Sequence, residues 1–143
     1  MATLTTANSS LYLSVRNFIP VPQKIEGYAT DDSVAMANIK PSEVMMGVDG
    51  KMSSGYVPQP KPMTITLQAD SPSMVFFDTI INAQDAAREV LIFDGLLNLP
   101  GISSKTTVIK GTLTDYTPAP TSKKTLQPRT FEITFESANT VPV

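Results

Sequence analysis

A chain of 143 residues with a formal charge of −2 and a pI near 5.0 has room for one domain around one core. That charge offers no basic field to hold a nucleic-acid backbone, so a DNA-gripping protein is disfavoured while one that lets DNA pass is allowed. Histidine and cysteine are both absent. This excludes the Ser-His-Asp triad, an imidazole general base, thiol nucleophiles and His or thiolate metal sites. Charged residues make up only 17% of the chain, below the roughly 25% of ordinary soluble domains. Thr, Ser, Asn and Gln carry the polar surface instead, a composition suited to β structure and close protein contacts.

Residues 1–10, MATLTTANSS, are small and polar and read as a flexible arm ahead of a single domain spanning 11–143. They lack a basic region followed by an apolar run, so no signal peptide is expected, and VLIF at 90–93 is far too short to cross a bilayer. Leu11, Leu13 and Val15 alternate with polar neighbours as in a half-buried strand. Pro20 and Pro22 then interrupt, and Lys24 to Ala29 resumes an extended pattern, with Glu26 and Tyr28 on its polar side. Asp31-Asp32-Ser33 reads as a solvated turn, whereas Val34 to Ile39 has no assignable period. Ser42 to Val48 and Lys51 to Val57 form the arms of a hairpin around the tight-turn pair Asp49-Gly50. Met63, Ile65, Leu67 and Ala69 mark the clearest strand in the chain.

A helix is expected from about residue 72, capped by Ser71 with Pro72 at its first position, to a point between 83 and 88. Its apolar face is read as Phe76, Ile80, Ala83 and Ala87, widened by Phe77 and Ile81. VLIFDGLLNLPGI follows as a strand broken near Asp94-Gly95. Residues 104–116 extend further, with Ile109 and Leu113 on one face and Val108, Thr112 and Tyr116 on the other. Thr117 to Pro128 is a proline-bearing loop, and Phe131, Ile133 and Phe135 alternate through a last strand. Glu26, Asp115, Glu132 and Glu136 fall on polar faces that period-two patterning leaves unassigned.

The hairpin arms carry few of the bulky residues that would anchor them on their own core. Methionine allows two readings, core filler or adaptable contact surface, and Met45, Met46 and Met52 beside the turn fit the second. The acidic pair Asp85 and Glu89 has Arg88 beside it and reads as a surface charge cluster. Lys123-Lys124 is read as a solvated loop, and the sequon Asn8-Ser9-Ser10 as coincidence. No residue is singled out as catalytic, cofactor-binding or metal-ligating.

The run SEVMMGVDGKMSSGYVPQPKPMTITLQADSPSMVFFDTIINAQ resembles the tail tube proteins of contractile-tailed bacteriophages. The shared features are a GxDG hairpin (Gly47, Asp49, Gly50), a strand of Thr and aliphatic residues (Thr64 to Leu67), and a Ser71-Pro72 helix start. Pro60-Lys61-Pro62 stands where the family often has a Ser-Gly pair. The resemblance implies a mainly β fold with one α-helix: an antiparallel β-sandwich or split barrel, similar to type VI secretion tube proteins. Its strands would join a continuous inter-subunit β-barrel in a hexameric ring. Rings would stack into a tube in the virion tail, with sheath protein around it, baseplate and tail terminator at its ends, and DNA passing through the lumen during ejection. Such a protein is made in the host bacterial cytoplasm, is not an enzyme and needs no cofactor. On this reading Met45, Met46, Gly47, Val48, Asp49, Gly50, Lys51, Met52 and Tyr56 form an inter-subunit or inter-ring contact hairpin. The alternatives are another phage-tail or type VI-like tube, terminator or baseplate structural protein, or a small ligand-binding β domain with a closed apolar pocket.

Overall fold

The computed structural model describes residues 9–26 and 34–142. The expected arm up to residue 8, Tyr28 and the Asp31-Asp32-Ser33 turn lie outside the described residues. Among the described residues the strands are β1 (Ser10–Val15), β2 (Ile19–Lys24), β3 (Val34–Met36), β4 (Ser42–Met46), β5 (Met52–Tyr56) and β6 (Lys61–Leu67). The helix α1 (Met74–Ala87) comes next, then β7 (Phe93–Leu99), a 3₁₀ turn at Pro100–Ile102, β8 (Ser104–Tyr116) and β9 (Arg129–Pro142). Seven strands make one sheet in the order β2-β1-β7-β8-β9-β6-β3, while among the described strands β4 and β5 pair only with each other. Every pairing is antiparallel. The fold is mainly β with one helix, as the sequence indicates.

Period two explains which faces meet. Leu11, Leu13 and Val15 of β1, Met63, Ile65 and Leu67 of β6, and Phe131, Ile133 and Phe135 of β9 are all fully buried. With Phe93 of β7 and Val108 of β8 they form one core cluster, so the sheet curls around a common interior. Helix α1 closes the open side with Met74, Phe77, Ile80 and Ile81. The Phe77 ring stacks on Phe131 with centroids 4.3 Å apart. The helix therefore buries a face turned toward 74/77/81 from the expected one; Phe76 is only partly buried and Ala87 is exposed.

Several local expectations are corrected. Pro20 and Pro22 do not interrupt: they lie within β2, which is the sheet's outer strand and can spare the missing donors. Val90 to Ile92 lead into β7 rather than belonging to it; Arg16 N–H donates to Ile92 O at 2.9 Å, and the Leu91 N–H to Gln84 Oε1 at 3.0 Å. Asp94-Gly95 bulges β7 against β8 without breaking it. On β8, Lys110 takes a left-handed φ of 56°, which reverses the alternation. Val108 and Gly111 consequently point inward and Ile109 is 44% exposed, while Leu113 and Tyr116 both pack on the core. Ser71 does not cap the helix in the expected way. The helix starts after Ser73, whose side chain caps nothing within α1, and Pro72 lies in the preceding turn. Both serines instead grip the backbone after β2: Glu26 N–H donates to Ser73 Oγ at 2.8 Å, and Ser71 Oγ–H donates to Glu26 O.

Gly111 is buried where β8 passes beside Phe135 and Ile133 of β9. A Cβ there would lie 2.5 Å from two ring carbons of Phe135 and 2.8 Å from Ile133 Cγ2. Gly111→Ala is expected to reduce stability by about 1–3 kcal/mol through overpacking. Urea unfolding measures it, and an unchanged midpoint would show that the Phe135 ring has room to shift.

Candidate assembly surface

The β4–β5 hairpin is built by local chemistry alone. Gly50 occupies φ 85°, a backbone region that glycine enters without steric penalty, and its N–H donates to Gly47 O at 3.0 Å. Asp49 Oδ1 accepts from Lys51 N–H at 3.1 Å, and Gly47 N–H donates to Lys51 O at 2.8 Å. At its base Val57 N–H donates to Pro41 O at 2.8 Å. The arms are in register from Ser42↔Tyr56 to Met46↔Met52.

That register sorts the side chains into two faces. Val44, Met46, Met52 and Tyr56 share one face with Ser42 and Ser54; Glu43, Met45, Ser53 and Gly55 share the other. Every residue of both arms is exposed. Exposure reaches 76% at Met45 and Tyr56 and 64% at Val44, so an apolar strip lies open to water. Methionine thus has both roles, split by position: Met63 and Met74 fill the core, while Met45, Met46 and Met52 are on the surface. The nine residues expected to make contacts all belong to this hairpin and its turn.

A second feature has no obvious signature in sequence. β9 continues past the Phe135 alternation to Pro142. Its first half pairs with both β8 and β6, but the β6 ladder ends at Lys61↔Phe135. From Ser137 to Pro142, β9 pairs with β8 on one side only among the described strands. The alternation shifts at Glu136, opposite the Lys110 irregularity, and Lys110 Nζ approaches Glu136 Oε2 at 3.5 Å. Beyond the bend, Thr106 and Thr140 share a side-chain hydrogen bond of 2.8 Å.

Two arginines hold the frame that carries these features. Arg129 is 5% exposed. It donates from Nε to Thr117 O at 2.9 Å and from its terminal nitrogens to Asp78 at 3.1 and 3.4 Å, with its guanidinium carbon 5.1 Å from the Phe131 ring centre. At the other end of the core Arg16 grips Asp94 through Nε at 2.8 Å and a terminal nitrogen at 3.0 Å. Asp94 also accepts from Lys110 N–H at 3.1 Å. The Arg16 hydrogen bond, together with the Lys110 N–H, holds the Asp94 carboxyl below its ordinary value of 3.8 against partial burial. A depressed carboxylate contributes stability above its unfolded value and loses it as pH falls through the folded one. Asp94→Asn is therefore expected to flatten the acid limb of the stability curve below about pH 4. Thermal melts from neutral to acid pH check this, and parallel curves for parent and variant would refute it. Neither arginine pairing has a local signature in sequence, because each spans a long separation, 51 residues for Arg129–Asp78 and 78 for Arg16–Asp94.

Among the described residues no cluster of acidic side chains could hold a metal ion, and no helix is long and apolar enough to cross a membrane. A groove of about 480 Å³ between β2 and the start of α1, lined in part by Ile19, Lys24, Val75 and Phe76, is open to solvent.

No curated protein matches the chain. Solved structures share its fold. A chain of the extracellular contractile injection system PVC sheath–tube complex in the extended state superposes with a TM-score of 0.64 at 17% identity, covering 93% of this chain and 88% of that one. A chain of the anti-feeding prophage tube-terminating cap gives 0.62 at 12% identity, with 100% and 93% covered. A chain of the six-fold symmetrised anti-feeding prophage baseplate gives 0.57 at 12% identity, with 100% and 99% covered. At such identities the likeness establishes the fold. A family model matches residues 2–139, nearly the whole length, and on that match the chain belongs to the family described as tail fiber protein gp32.

Proposed function

We propose that this chain is a structural subunit of a contractile phage tail, assembling into rings that stack as a tail tube. The observation that carries the reading is the hairpin Ser42–Tyr56, which shows an apolar face to water and pairs with no described strand of the seven-stranded sheet. Such a projection has a physical rationale when identical neighbours cover it. Ring closure would also complete sheet margins that are hazardous on an isolated copy. Likeness in fold to chains of sheath–tube, cap and baseplate assemblies supports a tail role. So does membership of a tail fiber protein family. In this role the partners are further copies of the chain, sheath protein around the tube, and baseplate and terminator at its ends. DNA passes through the lumen without being held, in keeping with the net charge of −2.

A second reading places the same subunit in a single terminating or baseplate ring, which the cap and baseplate likenesses favour. Negative-stain micrographs of the concentrated, purified protein decide between them. Long uniform tubes are expected; isolated rings would favour the second reading, and permanent monomers would overturn both.

A further inference from the structure

We propose that the free margin of β9, Ser137 to Val141, is extended in the assembly by one arm of the β4–β5 hairpin from a second copy of this chain. The inference rests on the ring-forming role argued above and names the two surfaces that meet.

Strand edges differ in whether they can accept a partner. An edge offers a row of backbone N–H and C=O groups, and proline removes the donors. β2, at one end of the sheet, has Pro20 and Pro22 within its six residues. β3, at the other end, is three residues long among the described residues. Neither is a good template. By contrast, Ser137-Ala138-Asn139-Thr140-Val141 has no proline and no charge. It is backed by β8 throughout, and Asn139, Thr140 and Val141 are exposed.

The occupant follows from length and availability. Each hairpin arm is a five-residue strand already extended, matching the five residues of the margin that precede Pro142. Among the described strands each arm pairs on one side only, so the hairpin also presents edges that none of them covers. Joining the two would satisfy backbone groups on both and add the hairpin to the sheet. The chain's own hairpin emerges nearby, since β6 begins at Lys61, whose Nζ reaches Glu136 O at 3.3 Å. It is nevertheless held off. Val57 is tied to Pro41, and Pro58, Pro60 and Pro62 stiffen the return into β6. An arm that cannot fold back on its own β9 is positioned to reach another's. The contact is head-to-tail, because the two surfaces differ, and a head-to-tail contact builds a ring when its rotation closes, as the ring-forming role requires.

The absence of native cysteine makes a clean test. Asn139→Cys is combined, in separate mixtures, with Ser53→Cys and with Ser54→Cys, which lie on opposite faces of the hairpin. Paired strands bring some such positions within the roughly 7 Å Cα separation that a disulfide tolerates. After co-assembly and mild oxidation, a disulfide-linked dimer is expected on a non-reducing gel in at least one mixture. Each variant alone should stay uncrosslinked, as should a control pairing Asp85→Cys on helix α1 with either hairpin variant. Large assemblies by light scattering without a mixed dimer would overturn this contact while leaving the ring reading standing. A dimer of Ser53→Cys or Ser54→Cys alone would replace it with hairpin-to-hairpin pairing. A crosslink appearing only inside a chain carrying both cysteines would show that the hairpin folds back on its own β9. Monomers throughout would overturn the ring reading and this inference with it.

Discussion

Arg129→Ala is expected to lower the unfolding free energy by about 3–4 kcal/mol, the largest effect of any single substitution away from the apolar core. The side chain is almost wholly buried, and three separate elements depend on it. Its Nε satisfies Thr117 O at the start of the loop before β9. Two terminal nitrogens hold Asp78 on the helix, and the guanidinium faces the Phe131 ring that stacks against Phe77. Truncation leaves a void beneath α1, strands a carbonyl and removes the helix's one ion pair to the sheet among the described residues. Asp78 is half exposed, so water recovers part of its solvation. Asp78→Ala, by contrast, keeps the Arg129 contact to Thr117 O but leaves a buried cation without its carboxylate. Urea unfolding of the two single variants and the double variant isolates their coupling. A loss below about 1 kcal/mol for Arg129→Ala would show that the buried charge contributes little.

The second large effect concerns assembly and leaves the subunit intact. Replacing Val44, Met46, Met52 and Tyr56 together by serine should abolish particle formation at concentrations where the parent assembles. Full burial of such side chains is worth about 1.5–3 kcal/mol each, so removing four takes several kcal/mol from every contact around a ring. The folded subunit should barely notice, because these residues are exposed and none belongs to the core cluster. Unfolding free energy is expected to stay within about 0.5 kcal/mol of the parent. Sedimentation velocity and urea unfolding on the same samples provide the check. Normal particles from the fourfold variant would remove the hairpin from the interface, and Met45→Ser on the opposite face serves as the contrasting single change.

The hairpin shows how much local sequence can carry. Asp49-Gly50 and the flanking arms were legible because a tight turn needs only its own residues, and Gly50 adopts the positive φ that the pattern requires. Strands β1 and β6 were equally readable, since Leu11, Leu13 and Val15, or Met63, Ile65 and Leu67, each face one core in strict alternation. The reading failed where neighbours override the local period. Ile109 and Leu113 are four apart and would share a face in a regular strand, yet Lys110 reverses the alternation between them and sends Ile109 outward. Pro20 and Pro22 look like breakers until β2 is seen at the margin of the sheet, where a strand can tolerate missing donors.

By itself, the sequence determined the class of fold, the placement of one helix, the projecting hairpin and the exclusion of histidine and thiol chemistry. All of these depend on residue type and on spacing within a few neighbours. Only the tertiary structure decided that Arg129 meets Asp78, that Gly111 has no space for a methyl group beside Phe135, and that β9 outruns β6 to leave a margin open among the described strands. Those outcomes arise when segments tens of residues apart compete for the same volume and the same backbone partners, and no local pattern encodes which of them prevails.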